Sequence, residues 1–116
     1  MTLKLKRGDL ITTIGKGDFN SKPRPALVIQ SEQFSTHNSV TVLPLTSEII
    51  DAPLLRVTVQ PSEQNGLKKP SQVMIDKIRT SKSETIGLPV FGHLEEDILS
   101  TVDERLAVFL GLRPFS

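Results

Sequence analysis

The most informative segment of this chain is Arg24-Pro25-Ala26-Leu27-Val28-Ile29-Gln30. Its four consecutive apolar residues, flanked by polar ones, are typical of a β-strand that is buried on both faces. Proline has no backbone N–H to donate, so it would break the hydrogen-bonding ladder inside a strand. At the start of a strand it is tolerated. The segment therefore predicts a buried strand that begins close to Arg24.

Further strands are predicted on both sides of this buried segment. Residues 8–15 alternate in character, with Leu10 and Thr12 on one face and Ile11 on the other. Later in the chain, Asn65-Gly66 is a strong signal for a tight turn. The remaining predicted strands, which alternate or form short apolar runs, are 39–45, 55–60, 72–78 and 86–91.

The C-terminal segment has a helical period rather than a strand-like one. Acidic residues 95–97 crowd its first turn, where the helix dipole favours carboxylates, and Gly111 and Pro114 mark its end. We therefore predict five or six short strands and one helix, which is typical of a bent antiparallel sheet or small barrel in a single domain over residues 1–116. The apolar residues at helical spacing are Leu94, Ile98, Val102, Leu106, Phe109 and Leu110.

The composition argues against several classes of protein. The 116 residues hold no cysteine, which removes disulfides, thiolate nucleophiles and cysteine zinc sites. A formal net charge of +1 argues against a strongly basic nucleic-acid coat, and the absence of Trp and Tyr argues against a base-stacking sheet. No stretch reaches the roughly 20 apolar residues of a membrane span, and the N-terminus does not resemble a signal peptide. We therefore expect a cytoplasmic protein that does not contact a membrane.

Histidine chemistry and metal binding are not suggested by the spacing of the candidate groups. His37 lies in a polar loop and His93 lies just before the helix, and nothing in the spacing brings the two together. A surface histidine and a helix-capping histidine are the simpler interpretations. Asp97 and Asp103 fall on a helix rich in glutamate, which is more simply a solvated face. The sequence therefore predicts no bound metal.

Polar side chains gather instead at the ends of the apolar strands. Arg24 precedes one strand, Thr46 and Ser47 end another, and Asp76 and Arg79 flank the end of a third. Arginine suits a phosphate, because its planar fork binds two oxygens at once and keeps its charge. In the alternative interpretation Arg24 and Asp76 form a surface ion pair and Thr46 is a turn residue. Composition and spacing alone favour this simpler alternative.

Four stretches, in order along nearly the whole chain, resemble the MazF/PemK family of toxins from toxin–antitoxin operons. The first resembles the family's opening strand, and the second resembles its most specific motif, Arg-Pro before a hydrophobic strand. The third ends in the family's threonine, and the fourth ends in an acidic residue followed by Arg-Thr. The stretches are Arg7-Gly8-Asp9-Leu10-Ile11, Arg24-Pro25-Ala26-Leu27-Val28-Ile29-Gln30, Val40-Thr41-Val42-Leu43-Pro44-Leu45-Thr46-Ser47 and Val73-Met74-Ile75-Asp76-Lys77-Ile78-Arg79-Thr80.

This resemblance implies a fold, an activity and partners. The implied fold is mainly β, a five- to six-stranded SH3-like barrel with a C-terminal α-helix, which assembles as a homodimer. The implied activity is that of a metal-independent, sequence-selective endoribonuclease, which cleaves single-stranded RNA by attack of the ribose 2'-hydroxyl and needs no cofactor. The implied partners are messenger RNA, a cognate antitoxin that covers the RNA groove, and operator DNA only through the antitoxin complex.

The resemblance also assigns residues to roles. The family's catalytic arginine and threonine fall on Arg24 and Thr46, and Asp76 is a candidate base or orienting group. Phe19 either stacks on a base or anchors its loop against the barrel. The candidate RNA contacts are Lys16, Asp18, Phe19, Lys22, Ser47 and Arg79.

Two departures from the family pattern keep a second function open. Gly17-Asp18-Phe19-Asn20 stands where many members carry Gly-Ser-Glu-Gln, and Met74 stands where some members carry an arginine. The alternative is a non-catalytic protein on the same fold, such as a CcdB-like gyrase poison or a module that binds antitoxin and DNA. Arg24 together with Thr46 is the feature that favours the nuclease.

Overall fold

The computed structural model describes residues 5–14, 23–34, 38–82 and 90–114 of the chain. These residues form a seven-stranded antiparallel sheet and one C-terminal helix, α1 (Glu96–Phe109). The predicted fold class, mainly β with a terminal helix, is confirmed. The strands are β1 (Asp9–Thr13), β2 (Arg24–Val28), β3 (Ser39–Thr46), β4 (Arg56–Val59), β5 (Ser71–Met74), β6 (Arg79–Lys82) and β7 (Gly92–His93).

The sheet is curled around its longest strand, β3. Neighbouring strands follow the order β4-β5-β3-β2-β1-β7, and β6 also pairs with β3. One edge of β3 pairs with β2, where Leu43 lies opposite Leu27. The other edge carries β5 near Thr46 and β6 near Ser39, one after the other. Strand twist curls this arrangement into a half-barrel, and α1 packs against it.

Both faces of the sheet are covered, which gives two apolar clusters. The larger cluster joins Leu27 of β2 to Leu99 and Val102 of α1. The smaller cluster contains Ala26 and Val28, whose side chains alternate with that of Leu27. All three β2 residues are fully buried, so the prediction of a strand buried on both faces is confirmed. Burial of a side chain as large as leucine contributes about 1.5–3 kcal/mol.

The predicted strand over 72–78 is wrong in its second half, where the chain leaves the sheet as a bulge over residues 75–78. Before the bulge β5 pairs with β3 at Val73, and after it β6 pairs with β3 from Arg79 onwards. From Val73 to Arg79 the chain advances by six residues, whereas β3 advances by only three between their partners, Leu45 and Val42. The extra length cannot lie in the ladder, so it projects from the sheet. This 75–78 bulge forms one wall of the candidate site.

The predicted turn at Asn65-Gly66 is present, and it connects the strands to the start of α1. Gly66 has a φ of +69°, a conformation that glycine adopts without steric cost. The Asn65 side-chain oxygen accepts the backbone N–H groups of Ser62 and Leu67, each at 3.0 Å. Its amide nitrogen donates to the Glu95 carboxylate, which the Ser62 hydroxyl also contacts at 2.5 Å. Glu95 therefore belongs to this turn, so the solvated face predicted for the glutamate-rich helix is wrong at this residue.

The last strand begins later than predicted. Of the segment 86–91, residues 86–89 lie outside the described part of the chain, and 90–91 precede β7 without belonging to a strand. β7 pairs with β1 and packs closely on the Asn65 turn. A side chain at Gly92 would place its Cβ 2.1 Å from the Asn65 carbonyl oxygen, so only glycine fits at this contact.

α1 matches the predicted helix but not the whole of its predicted apolar stripe. Val102 is buried as expected, whereas Phe109 and Leu110 are exposed at the helix end. Asp103 pairs with Arg7, so the prediction of a simple solvated face is also wrong at this position. Within the described residues, no helix is long and apolar enough to cross a membrane.

Candidate active site

A groove of about 600 Å³ opens where the end of β3 meets the start of β2 and the 75–78 bulge. Three cationic side chains and one carboxylate line it beside a hydroxyl, which suits it to an anionic ligand. The structure brings four of the predicted site residues together here, namely Arg24, Thr46, Asp76 and Arg79. The remaining lining residues are Pro44, Leu45, Met74, Lys77 and Ile78.

Arg24 combines a fixed backbone with an unused guanidinium. It starts β2 and lies opposite Thr13 in the β1–β2 ladder. Its side chain is exposed and makes no hydrogen bond or ion pair with any other described residue. The alternative in which Arg24 pairs with Asp76 is therefore wrong, because Asp76 pairs with Arg56 and Lys77 instead. All the donors of Arg24 remain free to bind phosphate oxygens.

Thr46 is both a turn residue and a donor to the groove. It ends β3, and its Oγ1 accepts the backbone N–H of Glu48 at 3.1 Å. A hydroxyl that accepts through a lone pair keeps its own proton for donation. The local turn therefore fixes the Thr46 oxygen and leaves its proton available to an oxygen of a bound ligand.

Gln72 fixes the chain that follows Thr46, and no motif in the sequence points to it. It lies opposite Thr46 in the β3–β5 ladder and is buried. Its amide donates to the Ile50 carbonyl at 3.0 Å and to the Thr58 hydroxyl at 3.1 Å, and its oxygen accepts the Ile50 N–H at 3.1 Å. These bonds tie the segment after Thr46 to β4 and β5.

Asp76 is held in the bulge by two cations. Arg56 Nη1 lies 2.8 Å from its Oδ1, and Lys77 Nζ lies 3.2 Å from its Oδ2. Burial opposes ionisation of Asp76, but the hydrogen bonds from Arg56 and Lys77 outweigh burial and hold the pKa of this carboxyl below its usual value. Because a lowered pKa makes a carboxylate a weak proton acceptor, the geometry favours the orienting role of Asp76 over the role of general base.

Arg79 is tied to the strand pair that carries Arg24. Its Nη2 donates to Thr13 Oγ1 at 2.5 Å. Thr13 is buried in β1, directly opposite Arg24. One buried hydroxyl thus connects the Arg79 side chain to the wall that carries Arg24, which concentrates positive charge on that side of the groove.

The chain matches a known protein family over most of its length. A family model described as the PemK-like, MazF-like toxin of type II toxin–antitoxin systems matches residues 6–110. The chain belongs to this toxin family. The predicted membership of the MazF/PemK toxins is thereby confirmed.

Relatives of this MazF-like toxin agree with the match. A probable endoribonuclease MazF of Mycolicibacterium smegmatis is 41% identical over 93% of this chain and 98% of its own length. The Mycobacterium tuberculosis toxin MazF-mt6 superposes with a TM-score of 0.71 at 27% identity, covering 90% of this chain and 99% of its own. An endoribonuclease from a mycobacterial species, solved with its cognate antitoxin, superposes with a TM-score of 0.74 at 22% identity, covering 97% of this chain and 98% of its own. These superpositions show that the half-barrel with a terminal helix is the fold of MazF proteins.

One further predicted site residue of the MazF-like toxin lies in the described part of the chain, outside the groove. Ser47 is exposed next to Thr46 but does not line the groove. His93 contacts Asp9, with 3.0 Å between Nδ1 and Oδ1, so it does not act as a simple helix cap. No three or more His, Asp or Glu residues within the described ranges are grouped to hold a metal ion. The predicted residues that lie outside the described part of the chain are Lys16, Asp18, Phe19, Lys22 and His37.

Besides Gln72, three residues that shape the groove were missed from the sequence. Lys77 is next to Asp76, so a basic residue beside a candidate carboxylate was a usable signal. Arg56 and Thr13 gave no such signal, because each lies in a strand far along the chain from its partner. Only the ladder register, in which Arg56 lies opposite Met74, brings Arg56 within reach of the bulge.

Proposed function

We propose that this MazF-like toxin is an endoribonuclease that cleaves single-stranded messenger RNA selectively by sequence and without a metal ion. The class of activity follows from the family match and from the 41% identity to a probable endoribonuclease MazF. The observation that carries the mechanism is that Arg24 and Thr46, from different strands, line the same groove. Each presents donors that its described neighbours do not use.

The nucleophile in this proposal is the 2'-hydroxyl of the RNA itself. Its oxygen bonds to the adjacent phosphorus as its proton leaves, and the bond from phosphorus to the 5'-oxygen breaks. A proton is added to that leaving oxygen, so the products are a 2',3'-cyclic phosphate and a free 5'-hydroxyl. DNA lacks the attacking hydroxyl, which explains why only RNA would be cut.

Arg24 and Thr46 would act on the charge that builds on the phosphorane oxygens. A guanidinium can hold two of these oxygens, and the threonine proton can hold one. Since this charge is larger in the transition state than in the ground state, the same donors bind the transition state more tightly. Removal of one such donor lowers the rate on the order of 10²–10³-fold.

We also propose three features of its assembly. A cognate antitoxin would cover the groove, which is supported by the type II toxin–antitoxin family and by a related endoribonuclease solved with its antitoxin. Operator DNA would be bound only through the antitoxin complex, since a net charge of +1 gives the toxin weak attraction for DNA. The toxin would act as a homodimer in the cytoplasm, where its messenger RNA substrate is found.

The test is cleavage of a mixed-sequence single-stranded RNA in the presence of EDTA, followed by mapping of the ends. Wild-type protein should give discrete cuts with 5'-hydroxyl ends. The variants Arg24→Ala and Thr46→Ala should each lose activity at least a hundredfold while their circular dichroism is unchanged. The matched control is Arg113→Ala, an exposed arginine that lies outside the groove, and it should cut as fast as wild type.

Two outcomes would overturn the proposal. The first is intact RNA after incubation with folded wild-type protein that is free of antitoxin. The second is full cleavage by both groove variants, which would mean that the chemistry happens elsewhere.

A further inference from the structure

Three charged groups form a chain that runs from the half-buried Arg56 of β4, through Asp76 of the 75–78 bulge, to the groove. Arg56 contacts one oxygen of Asp76 at 2.8 Å, and Lys77 contacts the other oxygen at 3.2 Å. The side chain of Arg56 is 14% exposed, that of Asp76 is 21% exposed and that of Lys77 is 55% exposed. The chain thus ends on an ammonium group that faces solvent, and Lys77 lines the groove.

The position of the Asp76 carboxylate between Arg56 and Lys77 indicates its role. A carboxylate beside a phosphate-binding groove would repel the substrate unless a cation neutralised it. Arg56 supplies that cation from behind and does not itself line the groove. With one oxygen of Asp76 occupied by Arg56, the other is directed to Lys77 and holds its flexible side chain at the groove.

We propose that Lys77 binds a phosphate of the RNA, and that Asp76 and Arg56 are its positioning residues. This inference rests on the proposed function, since it names a further contact for the same RNA in the same groove. Lysine binds phosphate as a compact point charge on a flexible stem. Tethering by Asp76 reduces the loss of side-chain freedom that the contact would otherwise require.

The backbone also fixes the bulge, so the three groups are not a mobile surface cluster. Ile75, at the start of the bulge, is fully buried in the larger apolar cluster, and its N–H donates to the Leu55 carbonyl at 2.9 Å. Arg56 follows Leu55 directly and lies opposite Met74 in the β4–β5 ladder. The position of Lys77 is therefore set by strand pairing on one side and by core packing on the other.

The decisive measurement is the salt dependence of binding to a 2'-O-methyl RNA oligonucleotide, which has phosphates but cannot be cleaved. For single strands, log K falls with log salt by about 0.7 for each phosphate neutralised. Lys77→Ala should reduce this slope by about 0.7 and weaken binding several-fold at low salt. The control Lys68→Ala removes an exposed lysine that does not line the groove, and it should leave the slope unchanged.

The positioning roles require kinetics on a cleavable RNA. Asp76→Asn and Arg56→Met should raise KM several-fold with little change in kcat, because both loosen Lys77 without touching the reacting atoms. Arg56→Met should be more harmful than the double variant Arg56→Met/Asp76→Asn, since the single change leaves Lys77 as the one remaining cation of the pair to neutralise the Asp76 carboxylate beside the substrate. Lys77→Arg should restore most of the affinity that Lys77→Ala loses.

The outcomes separate this inference from the proposed function. An unchanged salt slope in Lys77→Ala overturns the phosphate contact, even if the wild type cuts RNA normally. A loss of kcat in Asp76→Asn with unchanged KM, together with loss of the acid limb of the pH–rate profile, would make Asp76 the general base and overturn its positioning role. A reduced slope in Lys77→Ala supports the phosphate contact even if wild-type protein fails to cut, in which case only the nuclease proposal fails.

Discussion

The groove also depends on buried residues that do not line it, and Thr13 is one of them. Its hydroxyl accepts a hydrogen bond of 2.5 Å from Arg79 Nη2. Thr13 itself lies opposite Arg24 in the β1–β2 ladder. Thr13→Val keeps the shape of the side chain and removes only this acceptor. We expect KM for RNA to rise by up to about tenfold, corresponding to about 1.4 kcal/mol of binding, with kcat nearly unchanged.

The matched control for Thr13 is its neighbour in the same strand. Thr12 alternates to the opposite face, and its hydroxyl makes no hydrogen bond among the described residues. Thr12→Val should therefore leave both KM and kcat at wild-type values. Equal KM values for the two variants in steady-state cleavage assays would show that Arg79 does not depend on Thr13.

At the scale of residues, the sequence predicted the groups at the ends of strands but not the groups that hold them. Arg24 and Thr46 stand in recognisable motifs beside apolar runs, so their place at a common groove could be expected. Arg56 and Thr13 stand in ordinary strand positions. Their importance comes from register, and a shift of one residue in a ladder would turn either side chain to the other face.

At the scale of elements, the 75–78 bulge is the feature that sequence patterning could least provide. In an uninterrupted strand Val73 and Ile75 would share one face and Gln72 and Asp76 the other, and no glycine or proline within 72–78 marks a break. The break arises because β3 offers only three residue steps where the neighbouring chain uses six. Such a mismatch is a property of two paired segments, so neither segment carries a signal for it.

The Asn65 turn is the element whose loss should cost the most stability. The Asn65 side chain is fully buried, accepts two backbone N–H groups, and donates to the Gln60 carbonyl and to Glu95. Asn65→Ala leaves these groups without partners, and each buried unsatisfied group costs about 1–3 kcal/mol. We expect the free energy of unfolding in urea to fall by at least about 3 kcal/mol.

The neighbouring residue provides the control for this turn. Gln64 is exposed, and only its backbone carbonyl takes part in the contact with β7. Gln64→Ala should change the free energy of unfolding by less than about 0.5 kcal/mol. If Asn65→Ala were equally mild, the turn would not be what joins β7 and α1 to the sheet.

At the scale of the whole molecule, two carboxylates should make the fold sensitive to acid. The Ser62 hydrogen bond lowers the pKa of Glu95 against the opposing effect of burial. Burial opposes ionisation of Asp76, but its hydrogen bonds from Arg56 and Lys77 lower its pKa as well. A folded-state pKa below the unfolded value means that the stability is present above the unfolded value and is lost as the pH falls through the folded one.

The measurement is the free energy of unfolding in urea as a function of pH. For wild type it should be level near neutral pH and should fall once the pH drops below the ordinary values of 4.5 for Glu and 3.8 for Asp. Glu95→Gln should be less stable at pH 7 and should lose less stability on acidification. Parallel curves for the two proteins would mean that Glu95 contributes no pH-dependent stability.

Exposed apolar residues at the end of α1 form a surface through which we expect the whole molecule to assemble. The helix-end cluster consists of Leu54, Phe109, Leu110 and Leu112, which are all exposed, Leu112 by 76%. The apolar stripe that is buried at Val102 thus continues past the sheet without cover from any described element. Leu54 and Phe109 line the same pocket. Exposed apolar patches mark interaction surfaces, and a second copy of the chain is the simplest partner, because symmetric dimers are the commonest oligomers.

Light scattering at micromolar concentration should therefore give about twice the mass of one chain. Leu112→Lys places a charge in the middle of the proposed contact, where burial without a partner is strongly unfavourable, so this variant should be monomeric at the same concentration. Ile14→Lys adds the same charge at an exposed apolar residue outside the helix-end cluster, and it should leave the mass unchanged. A wild-type protein that scatters as a single chain would refute the dimer, and a dimeric Leu112→Lys would move the interface to another face of the half-barrel.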